Sequence, residues 1–171
     1  MVLVPQVVDA VRPLPVVAAG GIVDGRGFAA ALMLGAVGIN IGTRFLASTE
    51  APIPQPYKDL IANASSEDTM QFRAFNHLLP ELVAGGYDVA LRTIRTEFTD
   101  EWEPRLEEVD AQRDTLLEQF GAAAGAGRLH DLIAPAGQSS GAIKATLSAG
   151  EIVAMLVSEA EEALNAAPKP V

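Results

Sequence analysis

Two short glycine sites are the places in this chain best suited to chemistry. Gly20-Gly21 closes the apolar run that starts at Pro15, and Gly42-Thr43 closes a second run, Val37-Gly-Ile-Asn-Ile41. A residue without a Cβ lets main-chain N–H groups approach an anion closely, and the N-terminus of a following helix adds a favourable dipole. In a closed barrel of alternating strands and helices, the loops after the last two strands grip a phosphate at this level. The chemistry on offer is a phosphate grip for a nucleotide-like cofactor. Glycines also make tight turns and allow close packing, so spacing alone leaves that plainer use open.

Other chemistry is poorly supplied. Zero Cys excludes a disulfide scaffold, thiolate metal sites and a cysteine nucleophile. The two His, His77 and His130, lie far apart in the sequence, so no histidine-based metal site is expected. Each is read as a surface or loop residue rather than a base. Trp102, the sole Trp, reads as a packing anchor, and Arg44 either assists the phosphate or pairs with an Asp or Glu.

The elements around the glycine sites follow from local rules. Pro5 suits the first turn of a short helix to Val11, which Pro13 ends. Pro15 to Gly21 reads as a strand buried on both faces, Asp24 caps a helix from Gly25 to Leu34, Gly35 stops it, and Val37 to Ile41 is a second buried strand. Strand, helix and strand within about thirty residues form one βαβ unit, which makes the strands parallel neighbours.

Residues 51–171 read as mostly helical. Pro52, Pro54 and Pro56 mark a connector before an amphipathic stretch at Tyr57 to Ala62. Ser65-Ser66-Glu67-Asp68 reads as a helix start leading into Met70, Phe72 and Phe75, and Gly85-Gly86 breaks the chain again. Asp100 to Phe120 reads as one helix with a solvated acidic face, stopped by Gly121. Gly121 to Gly127 reads as a flexible small-residue tract and Pro135 to Gly141 as a loop. Ser148-Ala-Gly-Glu151 is a capping box, and Ile152, Val153, Leu156, Val157, Ala160 and Leu164 form one apolar stripe opposite Glu151, Glu159, Glu161 and Glu162.

The 171 residues suit one domain of ordinary size, and 49% hydrophobic with 20% charged residues excludes wholesale disorder. The net charge is −10; residues 1–50 are balanced, and residues 51–171 hold 19 acidic against 9 basic groups. With no basic patch, nucleic acid is an unfavourable partner. The longest uncharged stretch, Gly27 to Thr43, has 17 residues broken by glycines, short of a membrane span. No signal peptide is read at the N-terminus, so the expected location is cytoplasmic.

The stretch from Pro15 to Ala47, PVVAAGGIVDGRGFAAALMLGAVGINIGTRFLA, resembles the C-terminal signature of the nitronate monooxygenase family, formerly called 2-nitropropane dioxygenases. Asp100-Glu-Trp102, Ala136-Gly-Gln-Ser-Ser-Gly-Ala142 and the final amphipathic helix follow in family order. The FMN-dependent enoyl-ACP reductases share much of this signature. The resemblance implies an α/β fold, the C-terminal portion of a (β/α)₈ TIM barrel with its last two strands and additional helices. Residues 1–50 would be the last two β/α units, 51–147 a mostly helical insertion, and 148–171 a helix packing on the barrel.

It also implies FMN as cofactor and an alkyl nitronate and O₂ as substrates. Gly20, Gly21, Asn40, Ile41, Gly42 and Thr43 would bind the phosphate and ribityl end, with Gly137 and Gln138 close to the flavin. The family's catalytic His sits in an earlier Gly/Ala-rich motif with no counterpart in this sequence, so no catalytic residue is assigned. A full barrel needs about 250 residues, which points to a homo-oligomer or to a missing N-terminal half. The alternatives are an NAD(P)H-dependent enoyl reductase on the same fold and a non-catalytic fragment or partner subunit.

Overall fold

A computed structural model describes residues 2–82 and 90–166. The chain divides into two units, residues 1–52 with 142–171, and residues 53–141. Gly85-Gly86 falls outside the described residues.

In the first unit, helix α1 (Leu3–Val11) precedes strand β1 (Val17–Ala19), helix α2 (Gly25–Met33), strand β2 (Gly38–Asn40) and a one-turn helix, α3 (Thr43–Leu46). The expected βαβ unit is present. β1 and β2 are parallel, with Val17 opposite Gly38, Ala18 opposite Ile39 and Ala19 opposite Asn40. Asp24 caps α2 as expected, its carboxylate accepting from the Gly27 amide at 2.9 Å. Gly35 ends the helix with φ +95°, a conformation that costs a side chain strain.

The small core here joins Ala18, Ala31 and Ala36 with Val4, Ile22 and Ile39. The two strands are not buried on both faces as their composition suggests. Val17 is 56% exposed, and β1 and β2 pair only with each other among the described residues.

The long helix α9 (Ala149–Ala166) completes the unit. Its capping box is present: the Ser148 amide and hydroxyl donate to Glu151, whose own amide donates back to the Ser148 hydroxyl. α9 packs on α2, burying Ile152, Leu156 and Ala160. Val153, Val157 and Leu164, the other half of the expected stripe, remain exposed.

The crossing is tight at Gly25, where a Cβ would overlap the Glu159 Cβ and the Ala160 amide. The two chain segments of the unit are also stitched together. Ser48 and Leu147 form a parallel bridge, the Thr49 amide donates to the Leu147 carbonyl at 2.9 Å, and the Ala149 amide donates to the Glu50 carboxylate.

The second unit departs from the helical expectation. Helix α4 (Gln55–Asn63) occupies the amphipathic stretch, but Ser66–Asp68 is only a 3₁₀ turn, and the chain then enters strand β3 (Thr69–Phe72). β3 pairs antiparallel with β4 (Leu91–Ile94), which pairs with the two-residue β5 (Ala134–Pro135). Ser65 does form a capping box with Asp68. That signature marks where a turn starts and does not set how far helix extends beyond it.

The single helix expected from Asp100 to Phe120 is three: α6 (Glu97–Trp102), α7 (Leu106–Ala111) and α8 (Arg113–Gly125). Pro104 cannot continue the first of them. Gly121 does not stop α8, and 121–125 is helical rather than a flexible tract, because three alanines there favour the helix. Helix α5 (Ala74–Leu78) joins α6, α7 and α8 around Phe72, Leu78, Phe98, Trp102, Val109 and Leu116.

Candidate functional site

The ends of β1 and β2 lie side by side. The last paired residues are Ala19 and Asn40, and parallel neighbours sit about 4.8 Å apart, so Gly20-Gly21 and Ile41-Gly42-Thr43 leave the sheet at the same rim. Gly20 and Gly21 have φ +95° and +73°, two consecutive left-handed residues that a side chain would strain. A Cβ added at Gly20, Gly21 or Gly42 meets nothing within 4 Å. The glycine at 42 is therefore not required by its own protein's packing. Open space over an exposed glycine backbone is what a ligand's close approach needs. Asn40 and Ile41 also line an apolar groove of about 380 Å³ with Phe28, Phe45, Val153 and Val157.

The helix dipoles divide differently from expectation. The N-terminus of α2, expected to face an anionic ligand, is already occupied by two carboxylates: Asp24 on the Gly27 amide, and Glu159, from α9, on the Gly25 amide at 2.8 Å. Burial raises the Asp24 carboxyl, yet the Gly27 amide and the Arg26 guanidinium outweigh it and hold the group below the usual carboxylate range. Glu159 reads in the sequence as one more residue of a solvated face, and no local signal distinguishes it from Glu161. The tip of β2 differs, because Gly42 brings no side chain to the start of α3.

Arg44 does not make the alternative expected of it, a pair with an Asp or Glu. It is 4% exposed, forms no ion pair among the described residues, and donates Nη1–H to the Ala145 carbonyl at 3.1 Å. Burial lowers its pKa. Gln138 belongs to the second unit, where it opens the 3₁₀ turn Gln138–Ala142, and its carbonyl accepts the Ser66 hydroxyl at 2.8 Å. Gly141 is held against Ser66 so closely that a Cβ would overlap the Ser66 hydroxyl. The structure thus brings Gly20, Gly21, Asn40, Ile41, Gly42 and Thr43 together and seats Gln138 in a loop of the second unit.

The histidines have local partners. His77, on α5, contacts the Asp110 carboxylate at 3.0 Å. His130 is not a surface residue: its side chain is 10% exposed and stacks on Tyr57, with ring centroids 6.0 Å apart. Tyr57 donates its hydroxyl to the Pro135 carbonyl at 2.7 Å, and burial raises its pKa. Trp102 is the packing anchor expected, 6% exposed, with the Arg105 guanidinium 4.5 Å from its ring centroid. Among the described residues no group of His, Asp and Glu could hold a metal ion, and no helix is long and apolar enough to cross a membrane.

A parallel βαβ unit whose two strands end in glycines on one rim defines an α/β protein with its candidate site at the strand tips. The family model for nitronate monooxygenase matches residues 1–159, and the chain belongs to that family of oxidoreductases. It is 55% identical over 80 residues to a nitronate monooxygenase of Metarhizium robertsii, npaC, covering 44% of this chain and 22% of the relative. It is 46% identical over 103 residues to a putative monooxygenase of Mycobacterium tuberculosis, covering 60% and 24%.

Among solved structures, a nitroalkane oxidase from Streptomyces ansochromogenes superposes with a TM-score of 0.76 at 32% identity, covering 96% of this chain and 44% of that one. FabK from Thermotoga maritima gives a TM-score of 0.75 at 34% identity, covering 96% and 49%. The chain spans less than half the length of these solved relatives, and about a quarter or less of the two curated ones.

Proposed function

We propose that this chain carries the phosphate-binding part of an FMN-dependent oxidoreductase that oxidises alkyl nitronates with O₂. The observation that carries the proposal is the pair of left-handed glycines, Gly20 and Gly21, beside Gly42 on the same rim of a parallel strand pair, each with open space where a side chain would stand. In this reading β1 and β2 are the last two strands of a (β/α)₈ barrel. Residues 1–50 supply the last two β/α units, 51–147 the insertion and 148–171 the packing helix.

The amides of Gly20, Gly21, Ile41, Gly42 and Thr43 would bind and orient the flavin phosphate, with Asn40 contributing from the end of β2. FMN, if bound there, would supply the electron chemistry between an alkyl nitronate and O₂, and this chain's residues would hold and orient it. α2 takes no part in the grip, since Asp24 and Glu159 already fill its start with negative charge. Neither His77 nor His130 is assigned as a base.

The test is reconstitution with FMN, reading the bound flavin spectrum and nitronate-dependent oxygen uptake. A flavin spectrum without turnover, with turnover appearing once the N-terminal half of a relative is supplied, is the expected result. Failure to bind flavin in either form would overturn the proposal. The signature shared with the FMN-dependent enoyl-ACP reductases favours a second reading, an enoyl reductase that draws electrons from NAD(P)H. Stopped-flow reduction of the flavin by NAD(P)H in the absence of nitronate would select it. The edges of β1 and β2, which pair with no further strand among the described residues, favour a third, a non-catalytic partner subunit, which flavin binding with turnover would exclude.

A further inference from the structure

A groove of about 680 Å³ lies in the first unit, between the start of α2, the segment 142–147 and the C-terminal half of α9. None of the strand-tip glycines lines it. Arg44 does, as a buried guanidinium whose hydrogen bond goes to the uncharged Ala145 carbonyl. A largely buried cation without a counter-ion is costly, and an anion seated in the groove would offset that cost. The carboxylates on the same walls do not pair with that cation. Asp24 pairs with Arg26, Glu159 accepts the Gly25 amide, and Arg44 has no ion pair among the described residues.

We propose that this groove is a binding site for an organic monoanion with an aliphatic body, its carboxylate received by Arg44. The class follows from the walls. Val23, Ile143, Leu147, Met155 and Ala163 offer apolar surface for the body of the ligand. Asp24, Glu159 and Glu162 stand on the same walls, so a polyvalent anion such as a pyrophosphate is repelled where a single charge is accepted. Besides Arg44, the groove is lined by Arg26, which pairs with Asp24, and by Lys144, exposed on the segment 142–147. The site is separate from the proposed flavin grip and stands whether or not that grip binds FMN.

The test is calorimetric titration of the full chain with octanoate, 1-octanol and inorganic phosphate, alongside a fluorescence titration with FMN. Octanoate is expected to bind at least about tenfold more tightly than octanol, as a charged hydrogen bond requires, and phosphate not to saturate. Arg44→Gln should abolish the preference for octanoate over octanol. Because that variant removes a buried link to Ala145, Ala163→Phe provides a second arm: it keeps Arg44, fills the groove, and should lose octanoate binding with an unchanged thermal midpoint.

Equal binding of octanoate and octanol, undiminished octanoate binding by Ala163→Phe, or no octanoate binding by the wild type would overturn the proposal. Competition between octanoate and FMN would overturn the separateness of the two sites. FMN failing to bind while octanoate binds would count against the flavin reading alone.

Discussion

At the scale of single residues, the glycines separate by what holds them in place. Gly20 and Gly21 are glycines for the backbone's sake, being left-handed, whereas Gly42 has a negative φ of −99° and open space at its Cβ position. Gly42→Ala is therefore expected to leave stability within about 0.5 kcal/mol of wild type while weakening FMN at least tenfold, about 1.4 kcal/mol. Urea denaturation and a flavin titration read the two effects separately. Equal FMN affinity would remove the β2 tip from the grip. Gly21→Ala should lose both, with about 1 kcal/mol or more of stability going to left-handed strain.

Asp24 gives a pH-dependent prediction at the same scale. Its carboxyl sits below its ordinary range in the folded chain, so the stability it contributes is fully present above the unfolded value, near 3.8, and is lost as pH falls through the lower folded value. Asp24→Ala should cost about 1 kcal/mol at neutral pH. That cost should shrink as the pH of the urea titrations falls below the unfolded value. A cost independent of pH would mean that the charge contributes nothing beyond the cap.

At the scale of elements, the βαβ unit is legible because each of its signals is local: apolar β-branched runs, an Asp cap and stopping glycines. The second unit is not. β3 is four residues long, its burial does not alternate cleanly, and its partner β4 begins 19 residues after Phe72, a pairing that no local pattern announces. Pro104 marks the break between α6 and α7, but the charge pattern runs across it without interruption and suggests a single helix. The Glu159 link to α2 is invisible in the sequence for the same reason as β3, since it joins residues 134 apart.

The α2–α9 crossing tests that long-range link. Gly25→Ala would drive a methyl into the backbone of Glu159 and Ala160 and lengthen the Gly25–Glu159 hydrogen bond. It should cost about 2 kcal/mol or more, the scale of an overpacked contact that can relieve itself only by moving a helix. Glu159→Gln, which keeps an acceptor without the charge, should cost much less. Urea midpoints check both, and equal losses would assign the effect to charge rather than to close approach.

At the scale of the whole molecule, the first unit leaves a conflict that its own residues do not resolve. A parallel pair is stable when both faces and both edges are covered. β1 and β2 have no further strand among the described residues, while Val17 is 56% exposed and Val153 and Val157 on α9 are 52% and 44% exposed. Apolar surface of this kind is covered by a partner or by another copy. The purified chain is therefore expected to scatter light as more than one copy at micromolar concentration. Val153→Glu with Val157→Glu should shift it toward the monomer without altering the capping box at Ser148. A wild-type chain that stays monomeric and cooperatively folded would show that two strands and their helices suffice, and would remove the need for the rest of a barrel.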